Sequence, residues 1–304
     1  MAVELTMEQL RRGFARVGYI CEENTVLTVY LALVLQKPLL VEGAPGVGKT
    51  ELGKALAQVL NTELIRLQCY EGLDETKALY EWNYQRQLLR LQIDRSAEVE
   101  VAEEDLFSPR YLLERPLLKA IRSDKRPVLL IDEVDKCDPE FEAFLFEVLS
   151  DFQVSIPEIG TVTARTVPAV VLTSNSEREL SDGLKRRCLY LYLDFPPPEE
   201  EIKIIKAKVP GVEERLAWEI ARVVEYLRRQ EQLRKKPSIA ETLDWARALV
   251  ALKHRSLDGG LVDNTLNLLL KRRQDQLYFR REIGPRGLDK VLRQGRAGGD
   301  AGAP

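Results

Sequence analysis

The residues in this chain that could do chemistry begin with GAPGVGKT, which matches the phosphate-loop pattern G-x-x-x-x-G-K-[ST]. Gly43, Ala44, Pro45, Gly46, Val47 and Gly48 leave room for backbone N–H groups to close around the phosphates of a nucleotide. The helix expected next adds the positive end of its dipole. Lys49 would reach the β- and γ-phosphates, Thr50 would place its hydroxyl on Mg²⁺, and Glu51 closes the binding segment. The bland alternative is a glycine turn that merely joins a strand to a helix. Against it, the buried-strand pattern PLLVEG precedes the loop and the helical pattern KTELGKALAQVL follows it, the context that confirms such a match.

Three further groups fit the same chemistry. VLLIDE ends an apolar run in Asp132 and Glu133, which at the C-terminal edge of a parallel sheet would face the ligand crevice. Asp132 can hold the Mg²⁺ shell and Glu133 can orient or deprotonate a water. Alone, two carboxylates at a strand end are ordinary solvated groups; beside a phosphate loop they indicate hydrolysis of the nucleotide rather than its storage. VVLTSN places Asn175 at the end of another strand, where it can hold the attacking water, although Ser174-Asn175-Ser176 is also good turn chemistry. GLKRRCLY carries Arg186 and Arg187, either a solvated pair or an arginine finger reaching a neighbouring subunit's nucleotide. The lone His254 near a helix end reads as a dipole partner rather than a catalyst.

The elements that must position these groups follow from hydrophobic period. Two helices are expected between Thr6 and Gln36, broken near Gly18. Buried runs at PLLVEG, ELIRLQC, RPVLLIDE, PAVVLTSN and CLYLYLDF, alternating with helical patterns, predict an α/β fold on a parallel sheet. RYLLERPLLKAIRSD reads as a helix with Pro116 as kink or boundary, and Asp138-Pro139 as the cap and first turn of another. Between Asp151 and Thr166, alternating Phe152, Val154 and Ile156, a Pro157–Gly160 turn of type I, and alternating Val162 and Ala164 predict a β-hairpin. The aromatics of LYEWNY could contact a partner or pack on the sheet. Pro196-Pro197-Pro198 marks a boundary. Residues 1–196 are expected to form the nucleotide-binding domain, 197–294 a smaller all-α lid, and 295–304 a tail too poor in apolar residues to pack.

Composition bounds the rest. With 304 residues, 45% hydrophobic, the chain can bury one large core or two smaller ones. A net charge of -3 supplies no global basic field for nucleic acid. Cys21, Cys69, Cys137 and Cys188 show no paired spacing, and with one histidine a His/Cys metal site is not indicated; reduced thiols in a cytosolic protein are the simpler reading. MAVELTMEQLRR lacks signal-peptide order and VYLALVL is too short to cross a bilayer, so a soluble, cytoplasmic protein without membrane insertion is expected.

Taken together, the phosphate loop, the LLIDE strand, Asn175, the arginine pair and the helical lid resemble an AAA+ ATPase. The segment before LLIDE and the hairpin before Asn175 resemble its helix-2-insert branch, and within it the MoxR group. RLQCYEGLDETKALYEWNYQRQLL is similar to the subgroup that includes the maturation ATPase of molybdenum–copper carbon monoxide dehydrogenase. The resemblance runs from about Val17 to Asp289 and implies ATP with Mg²⁺, a ring-forming homo-oligomer (usually a hexamer), a remodelling or metallocentre-maturation task on a client metalloenzyme, and a partner carrying a von Willebrand factor A domain. By position, Lys49 and Thr50 match Walker A, Asp132 and Glu133 Walker B, Asn175 sensor 1, and Arg187, with Arg186 second, the arginine finger. Ile239 stands where the group often has the sensor 2 arginine; Arg234, Lys235, Lys236 or Arg247 could substitute. The same branch includes nucleic-acid motors and loaders, but the hairpin tip Pro157-Glu158-Ile159-Gly160 is acidic where phosphate contact needs Lys or Arg. A monomeric nucleotide switch would have no use for Glu133 and Asn175. The hairpin, lying between the carboxylates and Asn175 in sequence, is expected to move with hydrolysis and press on a client or on the aromatic insert.

Overall fold

A computed structural model describes residues 5–96 and 106–299 of the chain. Helix α1 (Met7–Arg16) opens with a capping box in which Thr6 and Gln9 satisfy each other's backbone N–H. After α2 (Glu23–Leu35) come β1 (Leu39–Gly43), α3 (Lys49–Val59) and β2 (Leu64–Gln68). An insert follows: α4 (Glu75–Ala78), β3 (Tyr80–Trp82), α5 (Tyr84–Ser96) and β4 (Leu112–Glu114). Helix α6 (Pro116–Arg122) leads to β5 (Val128–Asp132) and α7 (Pro139–Asp151). The hairpin strands β6 (Gln153–Ile156) and β7 (Gly160–Thr163) precede β8 (Ala169–Ser174), α8 (Asp182–Arg187) and β9 (Leu189–Leu193).

The main sheet runs β2-β5-β8-β1-β9, and the β2–β5, β5–β8 and β8–β1 pairings are parallel. Every residue of β5 and β8 is buried, which is why both read as unbroken apolar runs rather than as alternating ones. The register sets Gln68 beside Asp132 and Glu42 beside Ser174, so the C-terminal ends of four strands open on one edge.

The structure departs from the sequence reading at several points. Tyr111 to Glu114 is not helical: a short 3-10 turn, Pro109–Tyr111, gives way to β4, which pairs antiparallel with β3. Pro116 forces Arg115 into extended backbone (φ -90, ψ 171) and starts α6 as its first residue. Asp138 sits at the cap of α7 without capping it; its carboxylate accepts the Gly72 N–H at 3.1 Å. In the hairpin, the turn bond joins Ile159 N–H to the Ile156 carbonyl, so Gly160 (φ +92) falls one residue past the turn and enters β7. The hairpin itself forms as its alternation demands, with Phe152, Val154 and Ile156 buried. The aromatics of the insert divide. Trp82 is buried, edge-on to Phe107 at 5.3 Å, whereas Tyr84 is 60% exposed.

The chain divides into two compact units. One holds Met1–Val17, Glu22–Gly43 and Lys49–Tyr192; the other holds Gly18–Cys21, Ala44–Gly48 and Leu193–Pro304. The second unit is built from α9 (Pro198–Lys208), α10 (Glu214–Arg228), α11 (Ile239–Ala251), α12 (Gly259–Leu269), α13 (Arg273–Tyr278) and α14 (Gly284–Gly299). Anchored by Leu288 and Leu292, α14 continues through Gly299, into the stretch expected to lack structure; 300–304 lie outside the described residues. Trp245 and Phe279 are fully buried in this unit's own core.

That core also contains a charge pair. Arg228 on α10 donates twice to Glu201 on α9, at 2.8 Å each, gives its Nε–H to the Pro237 carbonyl and lies 4.4 Å over the Phe195 ring. Removing one partner leaves the other charged and buried. Arg228→Ala should therefore destabilise this unit by about 3–5 kcal/mol, whereas Glu201→Leu with Arg228→Leu should recover most of the loss. Thermal denaturation of the three proteins checks this; equal melting temperatures for the single and double variants would sink it.

Candidate active site

Lys49 is the first residue of α3, and its side chain is buried. Its Nζ donates to the Gly43 carbonyl at 2.7 Å and to Asn175 Oδ1 at 2.8 Å. Burial pushes the Lys49 ammonium below its ordinary pKa, and the nearby charges of Asp135, Asp132, Glu133 and Glu42 work against that. Gly46 and Gly48 hold φ of +77 and +101, left-handed backbone that glycine adopts freely.

Asp132 closes β5 as a buried carboxylate with a full set of donors. Thr50 Oγ1 reaches Oδ1 at 2.9 Å and Thr173 Oγ1 reaches it at 2.6 Å. Arg66, from the neighbouring β2, gives Nε at 3.1 Å and Nη2 at 2.5 Å to Oδ2. Thr173 serves twice, since its hydroxyl also accepts the Glu133 backbone N–H at 2.9 Å. Glu133 itself occupies left-handed backbone (φ 58, ψ 50), a costly conformation for a residue with a Cβ. Its Oε2 accepts from Gln68 Nε2 at 3.0 Å and from Lys136 Nζ at 2.7 Å.

Asp135 fixes the other side. Its Oδ2 accepts the backbone N–H groups of Asn175 and Glu177, both at 3.0 Å, while Oδ1 is buried without a partner among the described residues. Lys49, Thr50, Asp132, Glu133 and Asn175 are thus brought together, as their types suggested. Arg186 and Arg187 make none of these contacts. Both are exposed at the end of α8, and the Arg187 guanidinium lies 4.9 Å over the Phe146 ring. Glu51 is exposed and takes a bond from Lys54. Ile239 begins α11 behind a Ser238–Glu241 capping box. Of its suggested substitutes, Arg247 pairs with Asp244 and Lys235 with Glu241.

Sequence reasoning did not single out Arg66, Gln68, Thr173, Asp135 or Lys136. The signal for Gln68 and Thr173 is position, since each lies at or next to the C-terminal end of a parallel strand, as Asp132 and Asn175 do; Arg66 lies in the middle of β2. Cys69 and Cys137, far apart in sequence, are also in contact, both buried; the Cys137 thiol and burial push Cys69 well above the ordinary thiol pKa.

The side chains present suit a hard cation, because the Thr50 hydroxyl and the Asp132 carboxylate are adjacent oxygen donors. A glycine loop closing on a helix N-terminus, a buried lysine and paired acids at the open edge of a parallel sheet define a P-loop NTPase fold of the AAA+ kind. Residues 38–188 match the AAA domain (dynein-related subfamily) family model. An uncharacterized protein of Staphylococcus epidermidis is 25% identical over 225 residues, covering 72% of this chain and 77% of that one. The chaperone protein ClpB of Bacillus cereus is 27% identical over 148 residues, 47% of this chain and 14% of ClpB. The solved RuvB Holliday junction branch migration motor of Thermotoga maritima aligns over 91% of this chain and 83% of its own, with a TM-score of 0.47 and 18% identity.

Because the Thr173 hydroxyl satisfies both Asp132 and the Glu133 N–H, Thr173→Val should leave two buried polar groups short of a partner. The expected loss is about 1–3 kcal/mol of stability. Urea denaturation measures it, and a midpoint equal to wild type would show that the hydroxyl holds neither group.

Proposed function

We propose that the protein hydrolyses ATP in a Mg²⁺-dependent reaction and uses the cycle to remodel or mature a client protein, as a MoxR-type chaperone-like ATPase. The observation that carries the hydrolytic part is the joined cluster of Lys49, Asn175, Thr50 and Asp132 at one sheet edge, with Glu133 beside it. When bound, Mg²⁺ supplies neutralisation of charge on the β- and γ-phosphate oxygens. Thr50 and Asp132 would hold its shell. Lys49 and the loop N–H groups bind the phosphates, and Asn175 steadies Lys49 and the attacking water. Glu133 takes a proton from that water as its oxygen bonds to the γ-phosphorus and the bond to ADP breaks. For this the Glu133 carboxylate must leave Lys136 and Gln68, both of which hold it here.

Remodelling is supported by the dynein-related AAA domain and by the likeness to ClpB, a chaperone. The resemblance set out above extends the proposal to a homo-oligomeric, hexameric ring with Arg187, or Arg186, acting on the neighbour's nucleotide. It also extends it to a von Willebrand factor A domain partner and to a client metalloenzyme of the molybdenum–copper carbon monoxide dehydrogenase kind. No helix among the described residues is long and apolar enough to cross a membrane, which accords with the proposed cytoplasmic setting. A nucleic-acid motor is the second reading, and the exposed Glu158 at the hairpin tip disfavours it.

ATP turnover per subunit, measured against protein concentration, tests the reading. Glu133→Gln should abolish turnover while nucleotide binding persists. Specific activity should rise with concentration to a plateau, and Arg187→Ala should cost roughly 10³-fold or more. Turnover by a demonstrated monomer, flat with concentration and indifferent to Arg187→Ala, would remove the ring; no turnover under any condition would remove the enzyme.

A further inference from the structure

One strand edge of the hairpin has no paired strand among the described residues. The Ala164 N–H bonds to the Phe152 carbonyl, and the register pairs Val154 with Val162 and Ile156 with Gly160. The alternation of an antiparallel ladder then turns the N–H and C=O groups of Gln153 and Ser155 away from β7. The sheet containing β6 has only two strands, and among the described residues those outward groups have no backbone partner. The far edge differs, for it leads to Arg165, whose N–H donates to the Ile121 carbonyl at the end of α6.

A groove of about 280 Å³ runs along the open edge. Gln153, Val154 and Ser155 form one wall, Leu79, Phe144 and Val148 supply apolar surface, and Glu75, Glu147 and Asp151 bring carboxylates. Glu158, at the exposed hairpin tip, stands close enough to Tyr80 that its charge and that of Glu75 add to burial in raising the tyrosine's pKa. None of these four carboxylates has a cation partner among the described residues. Unpaired backbone groups along one line select an extended chain, the apolar floor selects alternate apolar side chains, and the carboxylates select basic ones.

We propose that the groove beside β6 docks an extended basic segment of a client polypeptide, which adds to the hairpin as a third strand. The acids also answer the question of self-pairing: a second copy's hairpin would bring Glu147, Asp151 and Glu158 against their own kind, whereas Lys or Arg on a client meets them favourably. This deepens the remodelling reading and rests on it for its biological sense, by giving the client a place on the element that lies between the carboxylates and Asn175 in sequence. Docking itself requires no hydrolysis, so the two can fail separately.

The probe is a fluorescent nonapeptide of alternating Lys and Val, titrated with the full chain and read by anisotropy, beside the same peptide with alternate backbone nitrogens methylated and a Glu/Val counterpart. Saturable binding of the first peptide alone is expected. Ser155→Pro deletes an outward donor without touching a backbone bond to β7, removing only the exposed 3.5 Å hydroxyl contact with Thr161, and should weaken binding about tenfold, as should Glu147→Lys with Asp151→Lys. Both variants should keep the wild-type melting temperature and basal ATP turnover. No saturable binding by wild type below ~1 mM overturns the proposal. Equal binding of the methylated peptide, or equal binding by a folded Ser155→Pro, overturns strand addition. Self-association that Ser155→Pro abolishes would assign the edge to a second copy instead. Peptide binding in a protein that never turns over ATP would keep the docking site and discard the remodelling cycle.

Discussion

One buried carboxylate organises the site. Asp132 is 2% exposed, and a charge so placed is tolerable only where donors surround it. Its donors come from Arg66 on β2, Thr173 on β8 and Thr50 on α3, so a single group ties together two flanking strands and the helix that follows the phosphate loop. The constraint also fixes register. Slipping β2 by one residue would turn Arg66 to the opposite face and strand the charge, and the same slip in β8 would remove Thr173. Apolar packing allows β5 to be central; the polar set at its end decides which neighbours it accepts and at what offset.

Glu133 is held in the opposite manner. Its backbone is in a left-handed conformation whose N–H is satisfied by Thr173, and its side chain is drawn to Lys136 and Gln68. The hydrolysis proposed above needs that pair broken, and a nucleotide phosphate would compete as an anion for the same lysine. Asp135 works differently again. By taking the N–H groups of Asn175 and Glu177 it sets the backbone from which Asn175 reaches Lys49. Two hydrogen-bonded sets therefore meet at this edge, one through Glu133, Thr173 and Asp132 and one through Lys49, Asn175 and Asp135, and the adjacent residues Lys49 and Thr50 join them along the chain.

Much of this was legible in the sequence because it is local chemistry. GAPGVGKT needs only its neighbours to be read, and an apolar run ending in Asp132-Glu133 announces a strand end. Arg66, Gln68 and Thr173 were not legible, because their importance depends on β2 and β8 flanking β5, a fact of strand order that no run of residues encodes. The same holds for Cys69 and Cys137, which meet only because β2 ends beside the segment that follows β5. The error at Tyr111–Glu114 has a different origin. Those residues carry helical spacing, but Pro116 bars its predecessor from helical backbone, and β3 offers a partner strand.

The placement of the hairpin changes how it can respond to nucleotide. In sequence it lies between Glu133 and Asn175, which suggested direct coupling. In space it joins the N-terminal end of β8, whereas Asn175 follows the C-terminal end, a strand length of about 20 Å away. Two stiff elements span that gap. One is β8, fully buried between β5 and β1 and unable to bend alone. The other is α7, whose buried Glu142 takes bonds from Arg178 and from the Ser181 N–H just beyond Asn175, and whose far end passes directly into β6. A shift of the Asn175 segment would be carried to the hairpin along α7, with Phe152, in left-handed backbone, at the joint. The groove beside β6 is lined by that same helix, through Phe144, Glu147, Val148 and Asp151, so whatever moves the hairpin against α7 also reshapes the groove.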